Sequence, residues 1–224
     1  MIGDRVVMYD WDGTLADTLV PTAVFFNDMF EKFNKTNAPA YPIPLERAKI
    51  RKIFNKATMP EFLAEQGFTE QETREAYSIY QQVFNKDKKY RCDIFQGVRE
   101  MLKNVGREAR QLVVSLNSKE NINSILQRNR VHPITFGMIT DGNELKGAHD
   151  SSKANYIRFY LGYSHRMPDE ITYVGDTPDD YTAAMEAGVN FIGVNYGWGR
   201  FEKGNGFSVA ENVHELEEML LNMN

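Results

Sequence analysis

Two acidic side chains near the amino end of the chain have the spacing of a pair that shares one site. Asp10 and Asp12 directly follow the apolar run Val6–Tyr9, and Gly13 ends the extended stretch. Alternate side chains of a strand point to the same side, so the two carboxylates can lie together. Like charges this close rarely persist without a cation or a shared proton. An ordinary Asp-rich turn would leave Asp10 as a charge at the end of a hydrophobic strand with no structural role.

A second acidic stretch follows another apolar run. Residues 171–174 lead into Gly175 and Asp176, and Asp179 and Asp180 come shortly afterwards. Because Asp176 also follows a predicted strand directly, its carboxylate can meet that of Asp10 across the ends of the strands. Carboxylate oxygens are hard ligands that suit Mg²⁺. An acidic surface turn alone predicts neither the preceding strand nor the Ala- and Gly-containing helix that follows.

The elements that must position these acids alternate between strands and helices. Predicted strands, recognised as short apolar runs, lie at residues 6–9, 112–114, 138–139, 171–174 and 191–194. Predicted helices, recognised by apolar positions at helical spacing, lie around residues 98–105, 122–126, 157–161 and 180–187. This alternation predicts an α/β fold, a Rossmann-like doubly wound parallel sheet whose ligands bind at the carboxyl ends of the strands.

Residues 19–90 break this alternation with helical patterns alone. Apolar residues at 25–33 and 45–54 have helical spacing, and a capping box begins at Thr69. We therefore expect an all-helical domain inserted into the α/β core. The expected boundaries are 19–90 for the insert and 1–18 with 91–224 for the core.

Composition excludes several classes of protein. The net charge of −5 and the pI near 5.5 give no sign of binding to nucleic acid or to an anionic membrane. The single cysteine, Cys92, rules out an internal disulfide and fits a reducing compartment. No apolar stretch is long enough to span a bilayer. We expect a cytoplasmic protein that is a monomer or a homodimer.

Two motifs resemble those of the haloacid dehalogenase-like superfamily. Residues 10–17, DWDGTLAD, resemble its first motif, DxDGTxxD, and residues 174–188 resemble its fourth, VGDSxxD with the Ala/Gly helix that follows. The helical insert lies where this family carries a helical (C1-type) cap, which closes over the site and contributes substrate contacts. Residues 193–199 are similar to the ending of the phosphoglycolate phosphatase-like branch.

The resemblance implies roles for individual residues. Asp10 would be the nucleophile that forms an aspartyl-phosphate, and Asp12 the general acid and base. Ser115, which ends the strand at 112–114, would bind a phosphoryl oxygen with help from Asn117, and Thr14 is assigned to substrate binding. The alternative for Ser115 is an ordinary residue at a strand end, with Ser118 as the N-cap of the next helix.

Two lysines could neutralise the phosphate in the way the family requires. Lys153 follows two serines that form a good N-cap, opens the helix around 157–161, and precedes Asp176 by 23 residues. Lys146 is the alternative. Neither lysine is followed by the Pro that many relatives carry, and the spacing favours Lys153.

The resemblance also implies a Mg²⁺ site. Its ligands would be the carboxylates of Asp10 and Asp176 and the main-chain carbonyl of Asp12. Asp180 would support this shell, and Asp179 is the less favoured alternative.

The implied function is a Mg²⁺-dependent phosphatase whose partner is a small phosphorylated metabolite. Asp12 favours phosphate esters, because dehalogenases and phosphonatases of the superfamily lack an Asp there. A phosphoglycolate phosphatase-like activity is expected. Alternatives are a nucleotide or pyrophosphate hydrolase, a sugar-phosphate phosphatase and a phosphomutase, although the His typical of the mutases is missing from residues 19–22. A regulatory protein that has kept only the fold would normally lack one of the chemical groups retained here.

Overall fold

The apolar run before Asp10 forms a central strand of a parallel sheet. The computed structural model describes residues 5–38, 41, 59–84, 86–140, 152–202, 204 and 206–223. Within them the strands are β1 (Val6–Tyr9), β2 (Arg110–Val113), β3 (Met138–Ile139), β4 (Ile171–Gly175), β5 (Asn190–Val194) and β6 (Ser208–Ala210). The first five lie where the sequence predicts them, to within two residues. The sequence does not predict β6, because Ser208–Ala210 is not an apolar run.

The order of the strands places Asp10 at the point where ligands of such sheets bind. The order is β3-β2-β1-β4-β5-β6, and all neighbouring pairs are parallel. The chain runs outward from β1 to β3 and then returns to the other side of β1, so the winding reverses between β1 and β4. Tyr9 pairs with Val113 and Val174, which brings the residues after these strands to one level. Asp10 therefore lies beside the ends of β2 and β4.

The described residues also form eight α-helices. They are α1 (Leu19–Lys32), α2 (Met59–Glu65), α3 (Glu70–Val83), α4 (Val98–Val105), α5 (Lys119–Arg128), α6 (Lys153–Ser164), α7 (Pro178–Ala187) and α8 (Val213–Leu221). Short 3₁₀ helices lie at Lys88–Tyr90, Pro133–Thr135 and Pro168–Glu170.

Helices cover both faces of the sheet. On one face, Met8 and Tyr173 belong to a buried cluster with Ile157 of α6 and Ala184 of α7. On the other, the buried side chain of Gln111 donates a hydrogen bond of 2.8 Å to a main-chain carbonyl of α4, which packs against α8. The prediction of a doubly wound α/β fold is confirmed.

The chain divides into two compact units. One consists of Met1–Asp17 and Asp93–Asn224 and contains the whole sheet, and the other is Thr18–Cys92. The described secondary structure of Thr18–Cys92 is helical, comprising α1 to α3 and the Lys88–Tyr90 turn.

Aromatic side chains and one helix cap organise the helical unit. The ring of Phe26 lies 4.7 Å from that of Phe62, and Phe30 packs against both. At the start of α3, the hydroxyl of Thr69 accepts the N–H of Glu72 at 3.3 Å, and the Glu72 carboxylate accepts the N–H of Thr69 at 2.7 Å. The predicted capping box is therefore confirmed. The helix expected at residues 45–54 lies outside the described residues, and α2 is not predicted by the sequence.

No helix in the described part of the chain is both long and apolar enough to cross a membrane.

Candidate active site

Asp10 and Lys153 form an ion pair at the carboxyl end of β1. Lys153 is the first residue of α6, which Ser152 caps, and its Nζ donates to Oδ1 of Asp10 at 2.8 Å and to Oδ1 of Asp180 at 2.7 Å. The side chains of Lys153 and Asp10 are only 15% and 6% exposed. Among the described residues, none donates a hydrogen bond to Oδ2 of Asp10. One oxygen of Asp10 is thus held by a cation, and the other is available for reaction.

The Lys153 side chain remains protonated in this buried environment. Burial lowers the pKa of Lys153, but the carboxylates of Asp10 and Asp180 outweigh burial and hold this pKa well above its usual range. The ammonium can therefore neutralise negative charge that develops beside Asp10. Lys146, the alternative to Lys153, lies outside the described residues.

Asp176 is held by the loop that follows β5. Its Oδ2 accepts the main-chain N–H groups of Trp198 at 2.5 Å and Gly199 at 3.2 Å, and its Oδ1 accepts the hydroxyl of Thr14 at 3.2 Å. A Cβ on Gly199 would lie 1.8 Å from the carbonyl oxygen of Asp176, so only glycine allows this approach. The hydroxyl proton of Thr14 is directed at Asp176, which favours a role in holding this carboxylate. Its assignment to substrate binding stays a prediction.

Asp180 is bound on both oxygens. Its Oδ2 accepts the main-chain N–H and the hydroxyl of Thr177 at 3.0 and 2.6 Å, which caps α7. Its Oδ1 accepts the hydroxyl of Tyr173 at 3.1 Å in addition to Lys153. Both oxygens of Asp180 therefore accept hydrogen bonds. This arrangement suits a residue that supports neighbouring groups. Asp179, the alternative, is exposed, whereas Asp180 is fully buried.

The three buried aspartates fit a divalent cation. Asp10, Asp176 and Asp180 can each offer a carboxylate oxygen, and these oxygens lie within 4.8 Å of one another. Burial raises the pKa of Asp10 well above its usual range. Burial, with a smaller effect of the Asp180 charge, raises the pKa of Asp176 to about 7. A cation would offset this cost of burying carboxylates, and an all-oxygen donor set is the one that Mg²⁺ prefers.

Ser115 lies beyond the end of β2 with its backbone fixed. Its N–H donates to the hydroxyl oxygen of Thr140 at 2.8 Å, and the Thr140 hydroxyl donates to its carbonyl at 2.8 Å. Its Oγ accepts the N–H of Asn117 at 3.2 Å, while no group in the described ranges accepts its hydroxyl proton. That proton can therefore be donated to an anionic oxygen of a substrate.

Asp12 and Asn117 lie in contact. The amide Nδ2 of Asn117 is 3.0 Å from Oδ2 and 3.2 Å from Oδ1 of Asp12. This contact favours Asp12 over a phosphoryl oxygen as the partner of the Asn117 amide. The role of Asn117 in substrate binding, and that of the Asp12 carbonyl as a metal ligand, stay predictions.

Sequence reasoning missed four residues that build this site. Thr140 holds Ser115, Tyr173 binds Asp180, and the main chain of Trp198 and Gly199 binds Asp176. Thr140 could have been found as a polar residue directly after a predicted strand. The Tyr173 hydroxyl, whose oxygen also lies 3.1 Å from the carbonyl oxygen of Val114, belongs to a strand motif that looks apolar.

The fold and the cluster together define an α/β protein with its candidate active site at the carboxyl ends of β1 and β4. Residues 7–194 match the family model of the haloacid dehalogenase-like hydrolases, and the chain belongs to that family.

Relatives and solved structures agree with this assignment. Phosphoglycolate phosphatase 1 of Pseudomonas aeruginosa is 23% identical over 194 residues, which cover 87% of this chain and 70% of that protein. A phosphoglycolate phosphatase of Pseudomonas putida is 22% identical over 204 residues, with the same coverages. The structure of a haloacid dehalogenase-like family hydrolase from Streptococcus pneumoniae has a TM-score of 0.74 at 20% identity and covers 97% of each chain. The structural likeness shows the fold.

Proposed function

We propose that this hydrolase is a Mg²⁺-dependent phosphatase that cleaves the phosphate monoester of a small metabolite through an aspartyl-phosphate on Asp10. The observation that carries the proposal is the contact between Lys153 and Asp10. It leaves one oxygen of a buried carboxylate available for attack and places a positive charge beside it. The names of the phosphoglycolate phosphatases similar to this chain support the same class of reaction.

The proposed reaction has two steps. In the first, an Asp10 oxygen attacks phosphorus, the bond from phosphorus to the ester oxygen breaks, and the carboxylic acid of Asp12 gives its proton to that oxygen. The alcohol then leaves. In the second, the Asp12 carboxylate takes a proton from water while the water oxygen attacks phosphorus. The bond from phosphorus to Asp10 breaks, which releases phosphate and restores both side chains.

Three groups would stabilise the transferring phosphoryl group. The Lys153 ammonium and the Ser115 hydroxyl proton would bind its oxygens, where negative charge is concentrated. When bound, Mg²⁺ would supply further positive charge to the phosphoryl oxygens. Its proposed ligands are the carboxylates of Asp10 and Asp176 and the carbonyl of Asp12, with Asp180 in support.

The helical unit is proposed to select the substrate. It follows the Asp10–Asp17 run in sequence and precedes β2, the position of the helical cap that the sequence resemblance implies. In that role, its residues would determine which metabolite is hydrolysed. A cytoplasmic location, which the single cysteine favours, belongs to the same proposal.

A phosphate-release assay tests the proposed function. The purified protein is incubated with Mg²⁺ and 2-phosphoglycolate, nucleoside monophosphates, pyrophosphate, sugar phosphates or p-nitrophenyl phosphate, with chelator and Asp10→Asn as controls. We expect Mg²⁺-dependent release from the wild type alone, with the highest kcat/KM on 2-phosphoglycolate. Equal rates for wild type and Asp10→Asn on every substrate would refute the phosphatase. A sugar phosphate that is isomerised faster than it is hydrolysed would indicate a mutase.

A further inference from the structure

We propose that Asn117 is a positioning residue that holds the carboxyl group of Asp12 in the orientation needed for proton transfer. The inference rests on the proposed phosphatase function and deepens it, since it assigns the second residue of the acid–base step. It also gives Asn117 a role other than direct contact with phosphate.

The first support is the geometry of the contact. Asn117 and Asp12 are separated by 105 residues in sequence, and the amide nitrogen faces both carboxylate oxygens, at 3.0 and 3.2 Å. Both side chains are half-buried. Asp12 precedes Gly13, whose φ of 82° ends the extended stretch after β1. The Asn117 amide therefore fixes a carboxyl group that projects from a turn.

The second support is that the orientation of the Asn117 amide is determined by its other neighbours. Its Oδ1 accepts the main-chain N–H of Ser118 at 2.8 Å and the side-chain amide of Asn121 at 2.9 Å. A main-chain N–H can only donate, so the atom facing Ser118 must be the oxygen, and the NH₂ group must face Asp12.

The third support is that the Asn117 side chain is anchored to a helix end. Ser118 is the N-cap of α5, and its hydroxyl accepts the N–H of Asn121 at 3.2 Å. The main-chain N–H of Asn117 itself donates to Ser115 at 3.2 Å. Both ends of the residue are held, so the amide can impose its orientation on Asp12.

A neutral amide suits a residue that must act as an acid and then as a base. An NH₂ group can donate to a carboxylate and equally to the carbonyl oxygen of a protonated carboxyl group. A cation in the same place would favour the ionised form and oppose the acid step. The structure keeps its cation, Lys153, on Asp10 and Asp180 instead.

The proposal predicts a defect that depends on the leaving group. An alkyl phosphate needs a proton on its departing oxygen, whereas p-nitrophenolate departs readily without one. The value of kcat/KM covers the steps up to release of the alcohol, so it isolates the acid step. For Asn117→Ala we expect a loss of roughly 10- to 100-fold in kcat/KM on 2-phosphoglycolate, or on the best alkyl phosphate of the panel, and less than about threefold on p-nitrophenyl phosphate.

Two further variants make this test specific. Asn117→Leu has a similar shape, removes the NH₂ donor and adds no charge beside Asp12. It should show the same dependence on the leaving group, so the proposal stays testable if Asn117→Ala fails to fold. Ser118→Ala removes the cap of α5 and leaves the main-chain N–H that orients Asn117. It should lower stability and leave the ratio of the two kcat/KM values as in wild type.

Three outcomes would overturn the inference about Asn117. They are equal losses on both substrates, a rise in KM alone on both, and a change of the ratio in Ser118→Ala that matches the change in Asn117→Ala. Equal and negligible rates for wild type and Asp10→Asn would instead refute the phosphatase function, and Asn117 would lose its proposed role with it.

Discussion

Lys153 and Asp10 are 143 residues apart in sequence, and their charged atoms lie 2.8 Å apart at the end of the central strand. The pairing follows from the fold, because α6 packs on the sheet face that carries Met8, and its first residue reaches the carboxyl end of β1. The same ammonium also donates to Oδ1 of Asp180 at 2.7 Å, so two buried carboxylates share one cation. Buried charges that depend on a single partner are costly to leave unpaired.

Lys153→Met should damage both activity and stability. The substitution leaves Asp10 and Asp180 without their shared cation, so we expect the free energy of unfolding of the metal-free protein to fall by about 3 kcal/mol. Loss of charge beside the phosphoryl group should lower kcat/KM by roughly 1000-fold. Urea unfolding in chelator and the phosphate-release assay measure the two effects.

Lys119 offers a matched control for that variant. It is also the first residue of a helix, α5, but it is exposed. Lys119→Met should change neither measurement appreciably, as is usual for an exposed side chain. Equal effects of the two substitutions would show that the pairing seen at Lys153 is not important.

The stability of the metal-free protein should fall as the pH rises. Burial, and to a smaller degree Asp180, raises the pKa of Asp176 to about 7 in the folded state, above its value in the unfolded chain. At a pH between the unfolded-state and folded-state pKa of Asp176, the folded protein binds one more proton than the unfolded chain. The free energy of unfolding therefore decreases as the pH rises through this range, and the stabilisation from the proton on Asp176 is lost above about pH 7. Urea unfolding from about pH 5 to about pH 8 in chelator checks this sign.

The same urea unfolding in the presence of Mg²⁺ tests the metal site. The ion binds ionised carboxylates, so its stabilising effect should grow over the same pH range. Asp176→Asn should flatten the dependence in chelator and weaken the response to Mg²⁺. A metal-free stability that rises with pH would contradict the assigned environment of Asp176.

The sequence predicts the parts of this site that depend on strand ends and helix starts. Asp10 and Asp176 directly follow apolar runs, so periodicity suffices to place them at strand ends. Lys153 follows a good N-cap, but its choice over Lys146 also needs the spacing that the family resemblance implies. The alternation of elements also predicts a parallel sheet and five of its six strands, but neither the order of the strands nor β6, whose segment Ser208–Ala210 is not an apolar run.

Contacts between distant segments could not be predicted in this way. The hold on Asp176 comes from main-chain N–H groups of Trp198 and Gly199, which no side-chain pattern reveals. Thr140 follows β3, a strand of only two residues, and its partner Ser115 becomes evident only when β2 and β3 are in register. The sequence pattern indicates only a core residue at Tyr173, and the structure shows that its hydroxyl binds Asp180.

Gly199→Ala should weaken the metal site. The added Cβ would lie 1.8 Å from the Asp176 carbonyl oxygen, so the loop after β5 must shift and take its N–H donors away from the Asp176 carboxylate. We expect the Kd for Mg²⁺ to rise roughly tenfold and the free energy of unfolding to fall by about 1–3 kcal/mol. Calorimetric titration with Mg²⁺ and urea unfolding provide the measurements.

Gly162→Ala is the control for a glycine without a close approach. Gly162 lies in α6, and a Cβ there would meet no heavy atom within 4 Å. This variant should gain about 0.5 kcal/mol of stability, since alanine restricts the unfolded chain, and should bind Mg²⁺ as wild type does. Wild-type Mg²⁺ affinity in Gly199→Ala would argue against the role given to the loop.

Ser115→Ala and Thr140→Val should separate catalysis from support of the backbone. Ser115→Ala removes the hydroxyl proton but keeps the bonds of its N–H and carbonyl to Thr140, so kcat/KM should fall roughly 100-fold with little change in stability. Thr140→Val keeps the hydroxyl of Ser115 and leaves that buried N–H and carbonyl unpaired, which should cost about 1–3 kcal/mol in urea unfolding. If Ser115→Ala instead lost stability and kept its kcat/KM, the Ser115 hydroxyl would be a structural group and the phosphoryl oxygens would need another donor.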